Sequence, residues 1–213
     1  MSDIKLNVKS YLKGLADISV KLISRPAEFF KEMPKIDGYM APLLYVVIAS
    51  LLGTVLSILI SMISRGAGIH YFGMAAIWLI IVPMISVILS FFGAGICYVI
   101  WNFSGSRENF ETSYRCFAYT HVLIPVTILL SIVPYFGLLG IAWWLYMMVV
   151  VTREVHKAPI KPALIAFGII AVLSGLAYYS SVSSTLKSKK HLEEFTKQLQ
   201  QMPGSPDSGR REH

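Results

Sequence analysis

The chain has 213 residues, of which 55% are hydrophobic and 15% are charged, and its mean hydropathy is +0.61. These values exclude an ordinary soluble globular protein. The formal net charge is +7, but the basic residues lie beside apolar segments instead of forming one compact patch. We therefore expect anionic lipid headgroups, and not nucleic acid, as a partner.

Residues 1–38 form a predicted N-terminal segment that begins with an amphipathic helix. Apolar residues between positions 4 and 22 recur at helical spacing and share one face. Lys5, Lys9 and Lys13 flank this face and are the candidate membrane-surface residues, because helices of this kind bind in the headgroup layer of a bilayer. The same face could instead pack on the membrane domain of the protein, and periodicity alone does not separate the two alternatives.

Residues 39–182 form the predicted membrane domain. An uncharged stretch of about 20 residues is long enough to cross the hydrocarbon core of a bilayer, which is roughly 30 Å thick. The predicted spans lie at about 39–63, 71–103, 112–133, 136–152 and 162–182. The second span has Pro83 as its expected kink, and the third and fourth form a hairpin with a tight corner. The predicted fold class is all-α: a polytopic integral membrane protein with five transmembrane helices, preceded by an interfacial helix.

The first predicted span carries small residues at every fourth position. These residues are Ala49, Gly53, Ser57 and Ser61. Small residues allow two helix backbones to approach closely in lipid, so we interpret the stripe as a packing surface.

Residues 183–213 form a charged C-terminal tail, predicted to be helical up to about residue 202 and disordered beyond it. Five crossings place the two ends of the chain on opposite sides of the membrane. Lys and Arg are frequent in the N-terminal segment and in the second and fourth loops, which favours a cytoplasmic N-terminus. The basic tail opposes this orientation. We expect a multi-pass protein of the cell membrane.

Candidate functional residues lie where charged groups meet the predicted spans, because such groups are costly in lipid and need partners. Glu111 and Arg115 stand four residues apart at the start of the third span and can pair on one helical face. Asn109 is placed to cap this helix, and Tyr119 lies one turn beyond Arg115. The simpler alternative is an ion pair that fixes the helix start at the headgroup level.

A second charged segment, with Arg153, Glu154 and His156, follows the fourth predicted span. Its simplest interpretation is a loop that sets membrane topology. It also falls on the same predicted membrane face as the 109–119 segment. We therefore expect both segments, with the end of the N-terminal segment, to form one polar cluster that binds a protein partner or a lipid headgroup. The candidate residues of this cluster are Asn109, Glu111, Arg115, Tyr119, Arg153, Glu154 and His156.

No catalytic residue, cofactor site or metal site is predicted. The sequence lacks a Gly-rich phosphate loop, an H-E-x-x-H motif, a G-x-S-x-G motif and paired carboxylates within a span. Cys97, Cys116 and His121 lie in or near spans, but no spacing fixes them as the three or four ligands of a metal ion. We expect His121 to bond a neighbouring carbonyl, and we expect a protein that is not an enzyme.

Four pieces of the sequence stand in a characteristic order. They are PAEFFKEMP followed by DGYMAPLLY (26–45), GSRENFETSYRCFAY (105–119), IPVTILLSIVPYFGLLGIAWW (124–144) and REVHKAP (153–159). In this order and spacing they resemble the Yip1 domain family in its prokaryotic form. The resemblance covers about residues 20–180 and implies a five-span helical protein of the bacterial inner membrane with a cytoplasmic N-terminus.

Eukaryotic members of that family act in vesicle trafficking through small GTPases and other membrane proteins, and a bacterial cell has no matching pathway. The resemblance therefore implies a non-enzymatic scaffold that binds other membrane proteins or itself and organises the bilayer. The alternative is a transporter or lipid-handling protein with a polar cavity lined by Arg115, Tyr119 and His121. A dry, well-packed bundle favours the scaffold, and an open cavity beside those residues favours the alternative.

Overall fold

The computed structural model describes residues 14–35, 37–65 and 69–201 of the chain. Within these ranges every regular element is a helix and none is a strand, which confirms the predicted all-α membrane fold. Lys5, Lys9 and Lys13 lie outside the described residues. The helices are α1 (14–24), α2 (Pro26–Glu32), α3 (Met40–Arg65), α4 (Ile69–Phe103), α5 (Phe110–Tyr119), α6 (Leu123–Leu130), α7 (Gly137–Glu154) and α8 (Ile160–Gln201).

In the described part of the chain, four helical segments, and not the predicted five, are long and apolar enough to cross a membrane. They are Met40–Ile63, Gly73–Phe103, Phe110–Leu130 and Ile160–Leu199. The predicted fourth span is the exception, because it forms α7, which has 18 residues and ends in Arg153 and Glu154. This length is near the lower limit for a crossing, and the charged last turn lowers the mean hydropathy of the helix.

Helices α6 and α7 pack against each other as a hairpin, and the corner between them occupies residues 131–136. Tyr135 adopts a φ of 69° in this corner. Gly140 allows the two helices to approach closely, because a Cβ atom at this position would lie 2.3 Å from the Thr127 hydroxyl. A larger residue at position 140 would therefore force the hairpin apart.

The third predicted span is not one continuous helix. A 3₁₀ turn at Thr120–Val122 separates α5 from α6. Pro125 accounts for the break, because proline lacks a backbone N–H and its ring crowds the carbonyl four positions earlier, which belongs to His121. The Thr120 hydroxyl also donates to the Phe117 carbonyl (2.7 Å), so a side chain takes up part of the backbone hydrogen bonding at this point.

Glycines in α3 and α4 set how closely the helices pack. A Cβ atom on Gly53 would lie 2.7 Å from Cγ2 of Ile124 on α6. On α4, a Cβ atom on Gly93 would lie 2.3 Å from the ring of Phe117 on α5. Both glycines lie at helix crossings where a side chain would displace the neighbouring helix.

The N-terminal segment folds onto the membrane domain through α1 and α2. Leu22, Phe30 and Met33 are buried in the main hydrophobic core. The Ser19 hydroxyl lies 2.8 Å from the Tyr45 hydroxyl on α3. The described part of the apolar face of α1 thus packs on the protein itself, which is the second of the two alternatives that the sequence left open.

Helix α8 extends well beyond the bundle. The ring of Tyr135, in the corner between α6 and α7, stacks on Tyr179 (5.3 Å between centroids), and its hydroxyl lies 3.4 Å from Ser183 Oγ. After this contact α8 continues without a break to its end. At 1.5 Å per residue, its 42 residues measure about 63 Å, twice the thickness of a hydrocarbon core. We call residues 184–201 the arm.

Candidate functional site

Three segments meet at the end of the bundle opposite the arm, which we call the polar end. They are residues 35, 37 and 38, residues 104–115 and residues 153–157. Lys35 joins all three, because its Nζ donates to the Glu108 carboxylate and to the Val155 carbonyl (3.5 Å), while its own carbonyl accepts from the Thr112 hydroxyl (3.2 Å). The sequence placed Lys35 only among the basic residues of the N-terminal segment, since contacts across more than 70 positions leave no local pattern.

Asn109 is the N-cap of α5. Its Oδ1 accepts hydrogen bonds from the backbone N–H and the hydroxyl of Thr112, both at 2.9 Å. Capping satisfies an N–H that the first helical turn leaves without an intrahelical partner. Asn109 therefore fixes where the helix begins, which in turn places Glu111 and Arg115.

Glu111 binds the N-terminal segment. Its Oε1 accepts hydrogen bonds from the backbone N–H groups of Asp37 (3.0 Å) and Gly38 (2.7 Å). Gly38 has a φ of 71°, a conformation that glycine adopts without strain. The predicted pairing of Glu111 with Arg115 is wrong, because both side chains instead reach across to this turn.

Arg115 is a buried cation with a side-chain exposure of 2%. Its Nη1 donates to the Gly38 carbonyl (2.9 Å), and its Nη2 lies 3.8 Å from the exposed carboxylate of Asp37. Its Nε is buried without a hydrogen-bond partner in the described part of the chain. Arg115 and Glu111 thus hold the same turn through its carbonyl and its N–H groups respectively.

Tyr119 lies deeper, away from the polar end. Its ring packs edge-on against Phe29 of α2 (5.1 Å) and Tyr45 of α3 (5.2 Å). These contacts anchor the N-terminal segment to the bundle. The structure therefore separates Tyr119 from the other six candidate residues.

His156 joins the exit of α7 to the end of α4. Its Nδ1 lies 2.8 Å from the Ser106 hydroxyl, and its ring stacks on Trp101 (4.0 Å between centroids). Burial, and secondarily the positive charge of Lys35, lowers the pKa of His156 to about 3. The imidazole is therefore neutral at physiological pH, and its buried Nε2 has no hydrogen-bond partner within the described residues. Trp101 in turn donates from Nε1 to the Thr152 hydroxyl (2.9 Å).

The outer rim of the polar end carries exposed charges of both signs. Arg153 and Lys157 have side-chain exposures of 73% and 65%, and they lie 3.7 Å and 3.8 Å from the carboxylate of Glu154. Asp37 is 67% exposed. The inner residues of the predicted cluster therefore stabilise the fold, and the rim is the part that a partner could reach.

A cavity of 460 Å³ lies between α5, α6, α7 and α8, and His121 is among its lining residues. Arg115 and Tyr119, which were expected to line the same cavity, are buried in the contacts described above and do not. His121 Nδ1 lies 3.3 Å from the Phe117 carbonyl, as expected of a histidine bonded to a neighbouring carbonyl.

Residues 20–182 match the family model described as the Yip1 domain. The match covers more than half of the chain and contains all three segments of the polar end. The chain belongs to the Yip1 domain family. Together, the Yip1 match and the four apolar helices identify a multi-pass membrane protein. The Yip1 match ends just before the arm, and no curated protein and no solved structure matches the chain.

Proposed function

We propose that this Yip1-family protein is a non-enzymatic membrane scaffold that binds other membrane proteins or further copies of itself. The proposal rests on the exposed apolar edge of the arm. Leu192, Phe195 and Leu199 share one edge of the arm at helical spacing and are 66%, 54% and 45% exposed. Exposed apolar edges of this kind mark interaction surfaces, and amphipathic helices bind partners through them.

The rim of the polar end supports the same proposal at the other end of the bundle. Arg153 and Lys157 are exposed and lie on either side of the half-buried Glu154, and Asp37 is a further exposed charge of the polar end. This group suits a polar contact with a partner or a lipid headgroup, whereas the neighbouring buried groups are engaged within the fold. Lys5, Lys9 and Lys13 would add attraction to anionic lipids.

The proposed location is the inner membrane of a bacterium, with the N-terminus and the polar end in the cytoplasm. The Lys and Arg residues of the N-terminal segment and of the 104–109 and 153–161 loops support this orientation. The arm lies at the end of the bundle opposite the polar end, because α7 runs back between these two ends beside the four candidate spans. With the polar end in the cytoplasm, the arm is then on the periplasmic side. A reporter enzyme that is active only in the periplasm, fused after His213, should be active, and an inactive but intact fusion would reverse the orientation.

The scaffold role is tested by co-purification of the full-length protein from native membranes in a mild detergent. The test variant carries Leu192→Gln, Phe195→Gln and Leu199→Gln. The control carries Lys190→Gln, Glu194→Gln and Lys197→Gln on the opposite face of the arm. We expect the wild type and the control to retain a partner, or a second copy, that the test variant loses. Recovery of the same proteins with all three would refute a binding role for the arm.

A second candidate function, lipid handling, is favoured by a cavity of 580 Å³ between α3, α4 and α6. Hydroxyl groups contribute to its wall, from Ser50, Thr54, Ser57, Ser61 and Ser86. A lipid held there should remain bound through purification and be seen by mass spectrometry. Ser57→Leu with Ser61→Leu would fill the space and release the lipid, whereas Val55→Leu on the exposed face would not. A wild-type protein that retains no lipid would count against this function.

A further inference from the structure

The cavity beside His121 contains polar groups at mid-membrane depth. Its lining residues include the apolar Ile124, Ile141 and Ile170, and also Thr127, Trp144 and Ser174, whose side chains carry polar groups. The cavity lies at the 3₁₀ break of the third span, about half-way along Phe110–Leu130. Ser174 is exposed and lies within the candidate span Ile160–Leu199, so the cavity opens at the surface of a membrane-spanning helix.

His121 presents a hydrogen-bond acceptor to this cavity. A carbonyl oxygen only accepts hydrogen bonds, so the Nδ1 atom that lies 3.3 Å from the Phe117 carbonyl must carry the proton. The other ring nitrogen, Nε2, then has a free lone pair. The hydrogen bonds of His121 go to the backbone of Phe117 and Ala118, and none to another side chain is found among the described residues. An ionisable side chain at this depth is costly in lipid, and such residues are commonly functional.

Three donors line the same cavity. Within the described part of the chain, no hydrogen bond is made by the Thr127 hydroxyl, the Ser174 hydroxyl or the Trp144 indole N–H. This is unusual for helical Ser and Thr, because their hydroxyls commonly donate to a carbonyl of the preceding turn, as Thr120 does here. The residues that line the cavity thus include three with hydrogen-bond donors, together with His121 as the acceptor.

We propose that this cavity binds the head of a membrane-soluble quinone. The ligand must dissolve in the bilayer, because the cavity opens at hydrocarbon depth. It must also be neutral, since the lining residues include no Asp, Glu, Lys or Arg. Quinone carbonyls accept from hydroxyl and indole donors, and the reduced form can donate a hydroxyl to His121 Nε2. A volume of 460 Å³ lies within the usual range for small-ligand sites.

Other classes of membrane lipid fit this cavity less well than a quinone does. A phospholipid keeps its phosphate at the headgroup level, far from the middle of the span. A fatty acid carries a carboxylate, and no cation lines the cavity to pair with it. The site is independent of the scaffold role, because neither the arm nor the polar end lines it.

Quenching of tryptophan fluorescence by decylubiquinone tests the proposal with the full-length protein in detergent or nanodiscs. Trp144 lies in the cavity wall, and its neighbour Trp143 lies outside it. We expect saturable quenching that Trp143→Phe retains and Trp144→Phe loses. Ser174→Trp, which fills the mouth of the cavity, should abolish the protection that bound quinone gives against thermal unfolding, whereas Ser180→Trp on the exposed part of α8 should preserve it.

His121→Ala should weaken quinone binding by about threefold to tenfold, the usual effect of losing one hydrogen bond. Circular dichroism of each variant checks that the helices remain folded. Quenching that rises without saturation, or quinone protection against thermal unfolding that is the same in Ser174→Trp as in the wild type, would overturn the proposal, because it would reflect only partition of the quinone into the lipid phase.

Discussion

Replacing Thr152 by valine removes one buried hydrogen bond at the polar end and keeps the shape of the side chain. The Thr152 hydroxyl accepts from Trp101 Nε1 at 2.9 Å, and both residues have an exposure of 0%. In the Thr152→Val protein, the indole N–H stays buried without an acceptor. Water cannot reach it unless α4 and α7 separate.

The expected loss of stability comes from this buried indole N–H, which has no acceptor in the variant. A buried donor without a partner costs about 1–3 kcal/mol, and the contribution of the surrounding apolar contacts is unchanged because valine and threonine are nearly equal in volume. The Thr152 hydroxyl also donates to the Met148 carbonyl (2.7 Å), but this carbonyl keeps its backbone partner in the helix. We therefore expect the free energy of unfolding to fall by about 2 kcal/mol.

The measurement is an SDS titration of the purified protein in a mild detergent, followed by circular dichroism and tryptophan fluorescence. Thr185→Val is the matched control, because its hydroxyl makes the same type of bond, to the Ser181 carbonyl at 2.9 Å, on the exposed part of α8. A surface substitution of this kind should change the free energy of unfolding by less than about 0.5 kcal/mol.

A double-mutant cycle with Trp101→Phe separates the hydrogen bond from the packing of the ring. We expect a coupling energy of about 1 kcal/mol between positions 101 and 152. If Thr152→Val unfolds like Thr185→Val, or if the coupling is zero, the assignment of this bond as a link between α4 and α7 is wrong.

Five further variants test three other contacts. Gly93→Ala should lower the free energy of unfolding by about 1–3 kcal/mol, because its Cβ would lie 2.3 Å from a phenyl ring of α5. Gly95→Ala, which meets nothing within 4 Å, should raise it by about 0.5–1 kcal/mol. The pKa of His156 is lowered to about 3 from the ordinary 6.5. Its contribution to stability is therefore present above pH 6.5 and is lost as the pH falls towards 3, by at most about 1.4 kcal/mol per pH unit. His156→Phe should flatten this part of the acid-unfolding profile. Glu111→Ala should reduce the hydrogen-exchange protection of the amides of residues 37–38 about tenfold, and Glu111→Gln, which keeps an acceptor oxygen, should reduce it less.

The following results would contradict these three predictions. Equal stabilities for the two glycine variants would contradict the close packing at Gly93. An unchanged acid profile in His156→Phe would mean that another group controls unfolding at low pH. Amides at residues 37–38 that remain protected in Glu111→Ala would show that the carboxylate does not hold the turn.

Local patterns in the sequence were enough to predict the helical fold and the main spans, because uncharged length and helical periodicity are local properties. They did not reveal the break at Thr120–Val122. Pro125 was visible in the sequence, but the apolar run around it has the composition of one continuous span. The count of five spans was wrong because the apolar pattern of α7 looks like that of a span. The helix itself has only 18 residues, and two charged residues occupy its last turn.

The polar end shows why the candidate site was only partly predictable. The sequence could place Glu111, Arg115 and His156 near one membrane face, but it paired Glu111 with its neighbour four residues away. In the structure its partners are 73 and 74 positions distant. The Ser106–His156 contact joins residues 50 positions apart. Such partners are set by how the helices assemble, and one sequence alone does not show them.

Because α8 is one unbroken helix, the arm and the membrane-embedded half of α8 move together. The tip of the arm lies about 27 Å beyond the start of the arm. Spans tilt when the bilayer becomes thinner or thicker, and a tilt of about 10° would swing the tip sideways by roughly 5 Å. A change in membrane thickness that tilts α8 would therefore displace Leu192, Phe195 and Leu199 together.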